Sequence, residues 1–373
     1  MKIYLDMVGC RLNQSEIESY ARDFLAAGHT LTGDPGEADL AVVNTCTVTV
    51  AAAADSRKKI RRFARQGAKK IIVTGCWSTL NPERATQLHS VGQVIPNVEK
   101  DDLVSQVLKI ELDDFKGQQE RVLIPGPRTR TRAVIKAQDG CNNYCAFCIT
   151  TIARGNSRSV PVHQVLRDIR IALRGGAQEI VLTGVQLGSW GYDFSPPSAL
   201  PKLVKAILEE TNIPRVRLSS IEPWDVDVPL IKLLAEGRVA RHLHIPLQSG
   251  SADTLRRMAR KITPEAYAAL LETVRSIVPE IAVTTDIMVG FPGETEASFA
   301  ESLDFVKEMN FAGGHVFTYS ARPGTVAADM PGQTPHPLRK ERNAMMRTVF
   351  ADSGMAYRQR FVGLQADTLW ESA

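Results

Sequence analysis

The sequence predicts an α/β protein with two domains. Short apolar runs alternate with amphipathic stretches, four times before residue 110 and about six times after residue 133. Such alternation is typical of parallel sheets covered by helices. Between the two series lies a polar, basic segment that contains Pro125, Gly126 and Pro127, through which a helix cannot continue. A chain of 373 residues is long enough for each domain to bury its own core.

Residues 1–120 are predicted to form a doubly wound domain built on a parallel sheet. Its strands are predicted at residues 2–8, 40–43, 70–74 and 93–96. Its helices are predicted at residues 16–27, 51–66, 82–89 and 101–110. Glycine favours the end of a helix and aspartate its beginning, so we expect Gly28 to end the first helix and Asp101 or Asp102 to begin the last.

One cysteine follows each of the first three predicted strands: Cys10, Cys46 and Cys76. In a parallel sheet the carboxyl ends of the strands share one edge, and ligands bind there. We therefore expect the three thiols to converge and to form a site for a metal cluster. The alternative is three unrelated core residues, since free cysteine packs well in protein interiors. Their equivalent positions after three strands favour the cluster site.

Residues 121–132 are predicted to be a linker, and residues 133–359 a partial barrel of six βα units, (βα)6. Its strands are predicted at residues 133–137, 179–182, 216–218, 241–245, 282–287 and 314–317. Its helices are predicted at residues 162–173, 200–210, 229–234, 264–276 and 296–309. Barrels of parallel strands carry their chemistry at the carboxyl ends of those strands.

Three further cysteines, Cys141, Cys145 and Cys148, lie in the string GCNNYCAFCITTIARG, directly after the first barrel strand. Thiolates are soft ligands that suit iron–sulfur clusters or zinc. A four-iron cluster held by three thiolates leaves one iron free to bind a small molecule. A structural zinc site is the alternative, but the spacing differs from the usual CxxC pairs, and the nearest downstream histidine is His163.

The composition and the charge distribution bear on location and partners. The amino terminus lacks the pattern of a secretory signal and no apolar run reaches the length of a membrane span, so we expect a cytoplasmic protein with no membrane partner. Cysteines in that compartment indicate metal binding or catalysis rather than disulfides.

Two basic runs are candidates for a phosphate-binding face. The first, residues 57–70, holds eight lysines or arginines and no acid. The second consists of Arg121, Arg128, Arg130, Arg132 and Lys136. The alternative is a solvated helix face and a charged linker.

The cysteine loop of the barrel resembles a known family. The CxxxCxxC spacing with Phe147 before the last cysteine resembles the radical S-adenosylmethionine enzymes. With Ala153-Arg154-Gly155 behind it, the longer string resembles the methylthiotransferases among them. The three cysteine motifs of the first domain are similar to the amino-terminal domain of the same family: Gly9-Cys10 followed by Asn13 and Glu16, Asn44-Thr45-Cys46, and Thr74-Gly75-Cys76.

The resemblance implies cofactors and site residues. It implies two [4Fe–4S] clusters, an auxiliary one on Cys10, Cys46 and Cys76 and a second on Cys141, Cys145 and Cys148. It also implies S-adenosylmethionine, contacted by Thr183, Gly184, Glu222 and Gln248. No side chain is assigned as catalytic, because the clusters and S-adenosylmethionine supply the radical chemistry.

The resemblance also implies a substrate and partners. The strings at residues 10–14 and 44–49 are similar to those of the enzymes that act on threonylcarbamoyladenosine in tRNA. The implied partners are the anticodon loop of tRNA and a small reductant protein as electron donor, with the sulfur donor left open. The alternatives are prenyladenosine in tRNA, an aspartate of a ribosomal protein, or an iron–sulfur or zinc protein without radical chemistry.

Two features depart from the family pattern. Thr151 and Ile152 stand where the family usually has proline and then tyrosine or a similar residue, beside the cluster loop. After a long helix predicted at residues 335–359, the family continues with an RNA-binding β-barrel. We expect residues 360–373 to form the first strand of such a TRAM-like domain. Either the sequence is a fragment of a longer chain or the rest of that domain is missing, and in the second case binding of tRNA would rest on the basic surface of the other domains.

Overall fold

The computed structural model describes residues 1–110, 124 and 131–370. Most of the predicted linker at residues 121–132 therefore lies outside the described residues, and so do Arg121, Arg128 and Arg130 of the second basic run.

The first domain is built on one parallel sheet. Its strands are β1 (Lys2–Met7), β2 (Thr30–Leu31), β3 (Leu40–Thr45), β4 (Ile71–Gly75) and β5 (Val91–Val94), in the order β2-β1-β3-β4-β5. The four predicted strands are confirmed, whereas β2 has only two residues and is too short to show a pattern. The strand order reverses between β1 and β3, which is the place where doubly wound sheets bind ligands.

Helices cover both faces of this sheet, as a doubly wound domain requires. They are α1 (Arg11–Ala26), α2 (Val50–Arg65), α3 (Cys76–Leu80), α4 (Pro82–Thr86) and α5 (Leu103–Leu108). Phe24 of α1 packs with Leu103 on one face of the sheet, and Ile60 of α2 packs with Trp77 on the other. Helix α1 begins five residues before the predicted start. Its first turns are polar, but they are buried against the second domain rather than exposed.

The second domain is the predicted partial barrel of six parallel strands. They are β6 (Arg132–Lys136), β9 (Glu179–Thr183), β10 (Arg215–Leu218), β11 (His242–His244), β12 (Ala282–Val289) and β13 (Gly313–Thr318). Parallel bridges between Ser220 and His244, and between Val216 and Val239, join the two halves between β10 and β11. A short antiparallel pair, β7 (Gln138–Asp139) and β8 (Arg158–Ser159), closes the base of the loop that carries Cys141, Cys145 and Cys148.

The barrel domain contains eight α-helices among its described residues. They are α6 (Thr150–Arg154), α7 (Val162–Arg174), α8 (Leu200–Glu210), α9 (Val228–Leu233), α10 (Ala252–Arg257), α11 (Pro264–Ile277), α12 (Glu296–Glu308) and α13 (His336–Gln359). The first, α6, lies at the end of the cysteine loop and packs against α3 of the first domain, and the others follow the strands of the barrel. One apolar core joins strands and helices and includes Leu203, Leu243 and Phe311. Helix α13 buries Met346 and Phe350 against this core, so it belongs to the barrel domain.

The strand predicted at residues 360–373 is not formed over residues 360–370. Turns follow α13 and continue to Gly363, and the chain is then irregular to Trp370. Val362, Leu364 and Trp370 are largely exposed. A strand needs a neighbour for its backbone hydrogen bonds, and none of the described segments offers one here. Among the described helices, none has the length and apolar character needed to cross a bilayer.

Candidate functional site

The three cysteines of the first domain lie at one edge of its sheet. Cys10 directly precedes α1, Cys46 directly follows β3, and Cys76 is the first residue of α3 after β4. A Cβ atom on Gly9 would lie 2.8 Å from Sγ of Cys46, so the Cys10 loop passes directly over Cys46. Burial raises the pKa of the Cys46 thiol to about 11, with further contributions from Cys76 and Cys10. The structure therefore brings the three thiols together at this edge.

The second group of cysteines sits in a closed loop at the mouth of the barrel. The backbone N–H of Cys141 donates to the carbonyl of Gly155 at 3.0 Å, which joins the two ends of the loop. Gly140 has φ of 74°, and a Cβ atom there would lie 2.0 Å from the carbonyl oxygen of Asn156. Only glycine fits this position without displacing the backbone.

The surroundings of these thiols supply hydrogen-bond donors. The backbone N–H of Asn143 points at Sγ of Cys141 at 3.4 Å, and Nη1 of Arg260 lies 3.8 Å from Sγ of Cys145. Donors of this kind stabilise thiolate charge and tune iron–sulfur clusters. Burial raises the pKa of the Cys141 thiol to about 11, so it stays protonated near neutral pH until metal binding displaces the proton.

Both groups of cysteines have the ligand chemistry that an iron–sulfur cluster requires. Each offers three thiolates, the preferred ligands of such clusters. Among the described residues, no three cysteine, histidine, aspartate or glutamate side chains are placed to share a single metal ion. A four-iron cluster binds each thiolate through a different iron, so its ligands do not need to meet at one point.

Between the two groups lies a buried set of charged and amide side chains, the interdomain network. Its members are Asn13, Glu16, Lys100, Asp139 and Arg154. Nζ of Lys100 lies 2.6 Å from Oε1 of Glu16 and 2.5 Å from Oδ2 of Asp139. Asp139 belongs to the barrel domain, and the other two residues belong to the first domain. Lys100 is fully buried, so no water screens these contacts.

Arg154 makes the second bridge of the interdomain network. Its Nη1 donates to Glu16 at 3.1 Å and to Asp139 at 2.9 Å, and its Nη2 donates to Asn13 at 2.6 Å. Burial alone would raise the pKa of the Glu16 carboxyl, but Lys100 and Arg154 outweigh it and hold that pKa below its usual value. Two carboxylates therefore face two cations in a dry interface.

Sequence reasoning did not find the interdomain network. Asn13, Glu16 and Arg154 stand out in the sequence only as parts of the family motifs, and nothing in the sequence gives Lys100 or Asp139 a role. Their contacts join positions up to 141 residues apart, which no local pattern records. A weak signal existed in α1, where polar residues occupy consecutive positions that a core-facing helix would fill with apolar ones.

Two family models match the chain. That of the Radical SAM superfamily matches residues 135–306, and that of the Uncharacterized protein family UPF0004 matches residues 2–95. The chain is 36% identical to threonylcarbamoyladenosine tRNA methylthiotransferase MtaB of Thermotoga maritima, over 99% of this chain and 86% of that protein. The chain belongs to the radical S-adenosylmethionine methylthiotransferases.

Other members of the family are similar to the chain at comparable levels. The Bacillus subtilis protein of the same name is 36% identical, over 90% of this chain and 77% of its own length. The tRNA-2-methylthio-N(6)-dimethylallyladenosine synthase of Fusobacterium nucleatum is 33% identical, over 90% of this chain and 80% of that protein. The two kinds of relative differ little in identity to this chain.

Solved structures support the fold. The radical S-adenosylmethionine methyltransferase TsrM from Kitasatospora setae superposes with a TM-score of 0.66 at 14% identity, over 88% of this chain and 75% of that one. The cobalamin-dependent S-adenosylmethionine radical enzyme OxsB gives a TM-score of 0.56 at 12% identity, over 93% of this chain and 56% of that one. Matches of this length include both domains.

As a radical S-adenosylmethionine methylthiotransferase, the protein uses S-adenosylmethionine and a [4Fe–4S] cluster. Residues predicted to contact S-adenosylmethionine lie at the same mouth of the barrel as the second cysteine group. Thr183 ends β9 and is buried, and Gly184 follows it. A Cβ atom on Gly184 would lie 2.8 Å from Oε1 of Gln138, so the loop after β9 packs closely against β7.

The other two predicted contacts follow β10 and β11. Both carboxylate oxygens of Glu222 accept from the guanidinium of Arg260, at 3.0 and 2.6 Å. Arg260 also lies over the ring of Trp224, 4.7 Å from its centroid, and is itself nearly buried. Gln248 has a left-handed backbone with φ of 77°. Sequence reasoning missed Arg260, because it is one of four cations within residues 256–261 and no pattern distinguishes it.

Proposed function

We propose that this protein is a tRNA methylthiotransferase that adds a methylthio group at C2 of N6-threonylcarbamoyladenosine, next to the anticodon. One observation carries the proposal: two groups of three cysteines, one from each domain, lie on either side of a buried interdomain network. One group serves to begin radical chemistry and the other to supply sulfur. The names of relatives that are 36% identical over most of their lengths support the substrate.

We assign one [4Fe–4S] cluster to each cysteine group. Cys141, Cys145 and Cys148 hold the cluster that binds S-adenosylmethionine, and Cys10, Cys46 and Cys76 hold the auxiliary one. When bound, these groups supply a 5′-deoxyadenosyl radical for hydrogen abstraction and a sulfur atom for insertion. The protein contributes a closed loop around the first cluster, burial of Cys46, Cys76 and Cys141, and N–H donors to Sγ of Cys141 and Cys145.

The pocket for S-adenosylmethionine is formed by Thr183, Gly184, Glu222 and Gln248 in this proposal. Glycine at position 184 lets the backbone approach a ligand closely. Arg260 holds the Glu222 carboxylate in place through two hydrogen bonds, so the carboxylate is oriented before a ligand arrives. Electrons come from a small reductant protein, and the sulfur donor is left unassigned.

The tRNA is bound in this proposal by the exposed basic face of α2. Lys58, Arg61, Arg62 and Arg65 are exposed on this helix. Lys59 is not available, because its ammonium pairs with Asp6 at 2.7 Å. Helix α2 begins four residues after Cys46, and its exposed cations lie about 12–22 Å further along the helix, from Lys58 to Arg65. Cations in this arrangement bind phosphates with little base preference.

A second candidate substrate is prenyladenosine in tRNA, favoured by relatives named for dimethylallyladenosine at 33% and 32% identity. The two candidates are separated by incubating the holoenzyme, S-adenosylmethionine and a reductant with tRNA that carries one parent nucleoside or the other. Mass spectrometry of the digested nucleosides then shows which parent gains a methylthio group. Product from the prenyl substrate alone overturns the threonylcarbamoyl assignment, and product from neither overturns the tRNA substrate.

A further inference from the structure

The interdomain network contacts both ends of the cysteine loop of the barrel. Asp139 lies just before Cys141, and its Oδ1 accepts from the N–H of Gly140 at 2.8 Å. Arg154 lies at the other end of the loop, in α6, and donates to the same carboxylate at 2.9 Å. The network therefore fixes the segment that carries Cys141, Cys145 and Cys148 at its two ends.

The same network holds the loops of the first domain. Nδ2 of Asn13 donates to the carbonyls of Val8 at 2.7 Å and Thr45 at 3.3 Å. Val8 lies two residues before Cys10, and Thr45 directly precedes Cys46. Oε2 of Glu16 accepts from Nδ2 of Asn44 at 2.7 Å. The guanidinium of Arg154 thus contacts two side chains, Asn13 and Glu16, that are themselves bonded to the strand ends next to the first cysteine group.

A separate contact ties the third cysteine of that group to the barrel. Nδ2 of Asn97 donates to the carbonyl of Ala153 at 2.7 Å and lies 3.7 Å from Sγ of Cys76. Ala153 and Arg154 are consecutive residues of α6, and α6 packs against α3, which begins at Cys76. Cys10 and Cys76 therefore each contact a side chain that is bonded to the segment 153–154, Asn13 and Asn97 respectively. Cys46 is linked one step further away, through Thr45, whose carbonyl accepts from Asn13.

The energetics of the network favour one arrangement of the domains. Its two carboxylates and two cations balance, and each is at least 97% buried. Sliding one domain past the other would leave a buried charge without its partner, which is strongly destabilising. A guanidinium also fixes the direction of its hydrogen bonds as well as their length, because its N–H groups form a rigid fork.

We propose that the interdomain network sets the separation and orientation of the two cysteine groups, and that Arg154 is its positioning residue. This inference rests on the proposed function, in which one group begins the radical step and the other supplies sulfur to the same base. A substrate radical formed out of reach of the sulfur is lost to side reactions. Small misplacements of reacting groups reduce rates steeply, so the fixed spacing serves the coupling of the two steps.

The test compares Arg154→Lys with Arg238→Lys in the holoenzyme. Lysine keeps the charge of Arg154 but has one nitrogen in place of two, so it loses the rigid fork in which Nη1 reaches Glu16 and Asp139 while Nη2 reaches Asn13. Arg238 is a matched control, because its guanidinium bridges the carbonyls of Leu208, Thr211 and Ile213 within the barrel alone. We measure bound iron, 5′-deoxyadenosine, methylthio product, and the magnetic coupling between the two reduced clusters by electron paramagnetic resonance.

For Arg154→Lys we expect wild-type iron content and 5′-deoxyadenosine formation within about twofold of wild type. The yield of methylthio product per 5′-deoxyadenosine should fall about tenfold or more, with weaker coupling between the clusters. Arg238→Lys should leave the yield of methylthio product and the coupling between the clusters unchanged. An unchanged product yield and coupling in Arg154→Lys would overturn the inference. If that variant does not fold, Asn97→Ala weakens the same junction without removing a charge and must show the same loss of yield.

A last measurement separates this inference from the proposed function. Hydrogen exchange of the protein without clusters needs neither product nor iron. We expect Arg154→Lys, but not Arg238→Lys, to speed exchange over residues 10–16 and 139–155 together. Unchanged exchange in both segments would refute the positioning role. Absence of methylthio product from the wild-type enzyme would refute the proposed function and leave the exchange result to decide the inference.

Discussion

Nη2 of Arg154 lies 2.6 Å from Oδ1 of Asn13, although the two residues are 141 positions apart in the chain. Asn13 follows Cys10 by three residues, and Arg154 follows Cys148 by six. Two strings that the sequence shows separately, one in each domain, therefore meet in space. The residues around the cysteines serve the junction between the domains as well as the cysteines themselves.

Gly140→Ala should impair the cysteine loop of the barrel. The added Cβ would lie 2.0 Å from the carbonyl oxygen of Asn156, at the point where the loop is closed. We expect roughly half of the iron to be lost, with no 5′-deoxyadenosine formed. Gly176→Ala is the control, because it has a similar φ of 78° but no atom within 4 Å of the new Cβ. Equal iron content in the two variants would contradict the closed-loop account.

Charge reversal on α2 should weaken tRNA binding. In the double variant Arg61→Glu and Arg62→Glu, two exposed cations become anions on the proposed phosphate-binding face. We expect affinity to fall by about tenfold or more near physiological salt, and the dependence of affinity on salt to become shallower. Titration of tRNA binding at several salt concentrations measures the affinity and its dependence on salt.

The control for this prediction is Lys202→Glu with Lys205→Glu, two exposed lysines of α8 on the barrel. It changes the net charge by the same amount at a different place. An equal loss of affinity in both double variants would show that net charge, rather than the α2 face, governs binding.

His242 should make the barrel domain less stable in acid. Burial, together with Arg217, His244, Arg11 and Arg132, lowers the pKa of its imidazole to about 3. The unfolded chain takes up this proton near pH 6.5, so stability is lost as pH falls from 6.5 towards 3. The slope from this group is about 1.4 kcal/mol per pH unit. His244 shares the hydroxyl of Thr284 with His242, and both are hydrogen-bonded residues of the barrel interior.

His242→Gln keeps a neutral polar side chain and should remove this part of the acid sensitivity. Denaturant unfolding between pH 4 and pH 7 measures the difference in free energy of unfolding between variant and wild type. His89→Gln, at an exposed position of the first domain, is the control. A difference that does not vary with pH would show that His242 titrates normally in the folded protein.

Patterns in the sequence predicted much of the fold, because periodicity and strand-end position are local properties. The alternation of elements predicted the doubly wound sheet and the six-stranded barrel, and the position after each strand predicted that Cys10, Cys46 and Cys76 converge. The buried charges were not predictable, because Lys100 looks like any surface lysine until Glu16 and Asp139 are placed beside it. The strand expected at residues 360–370 failed for a related reason, since a strand depends on a neighbour elsewhere in the chain.

The two cysteine groups should be separable by mutation, and Cys46→Ala tests this most directly. Holoenzyme carrying this change is incubated with S-adenosylmethionine, a reductant and tRNA, with Cys145→Ala as its counterpart. The account predicts that Cys46→Ala still forms 5′-deoxyadenosine but no methylthio nucleoside, whereas Cys145→Ala forms neither. Methylthio product from Cys46→Ala would contradict the claim that the first domain supplies the sulfur.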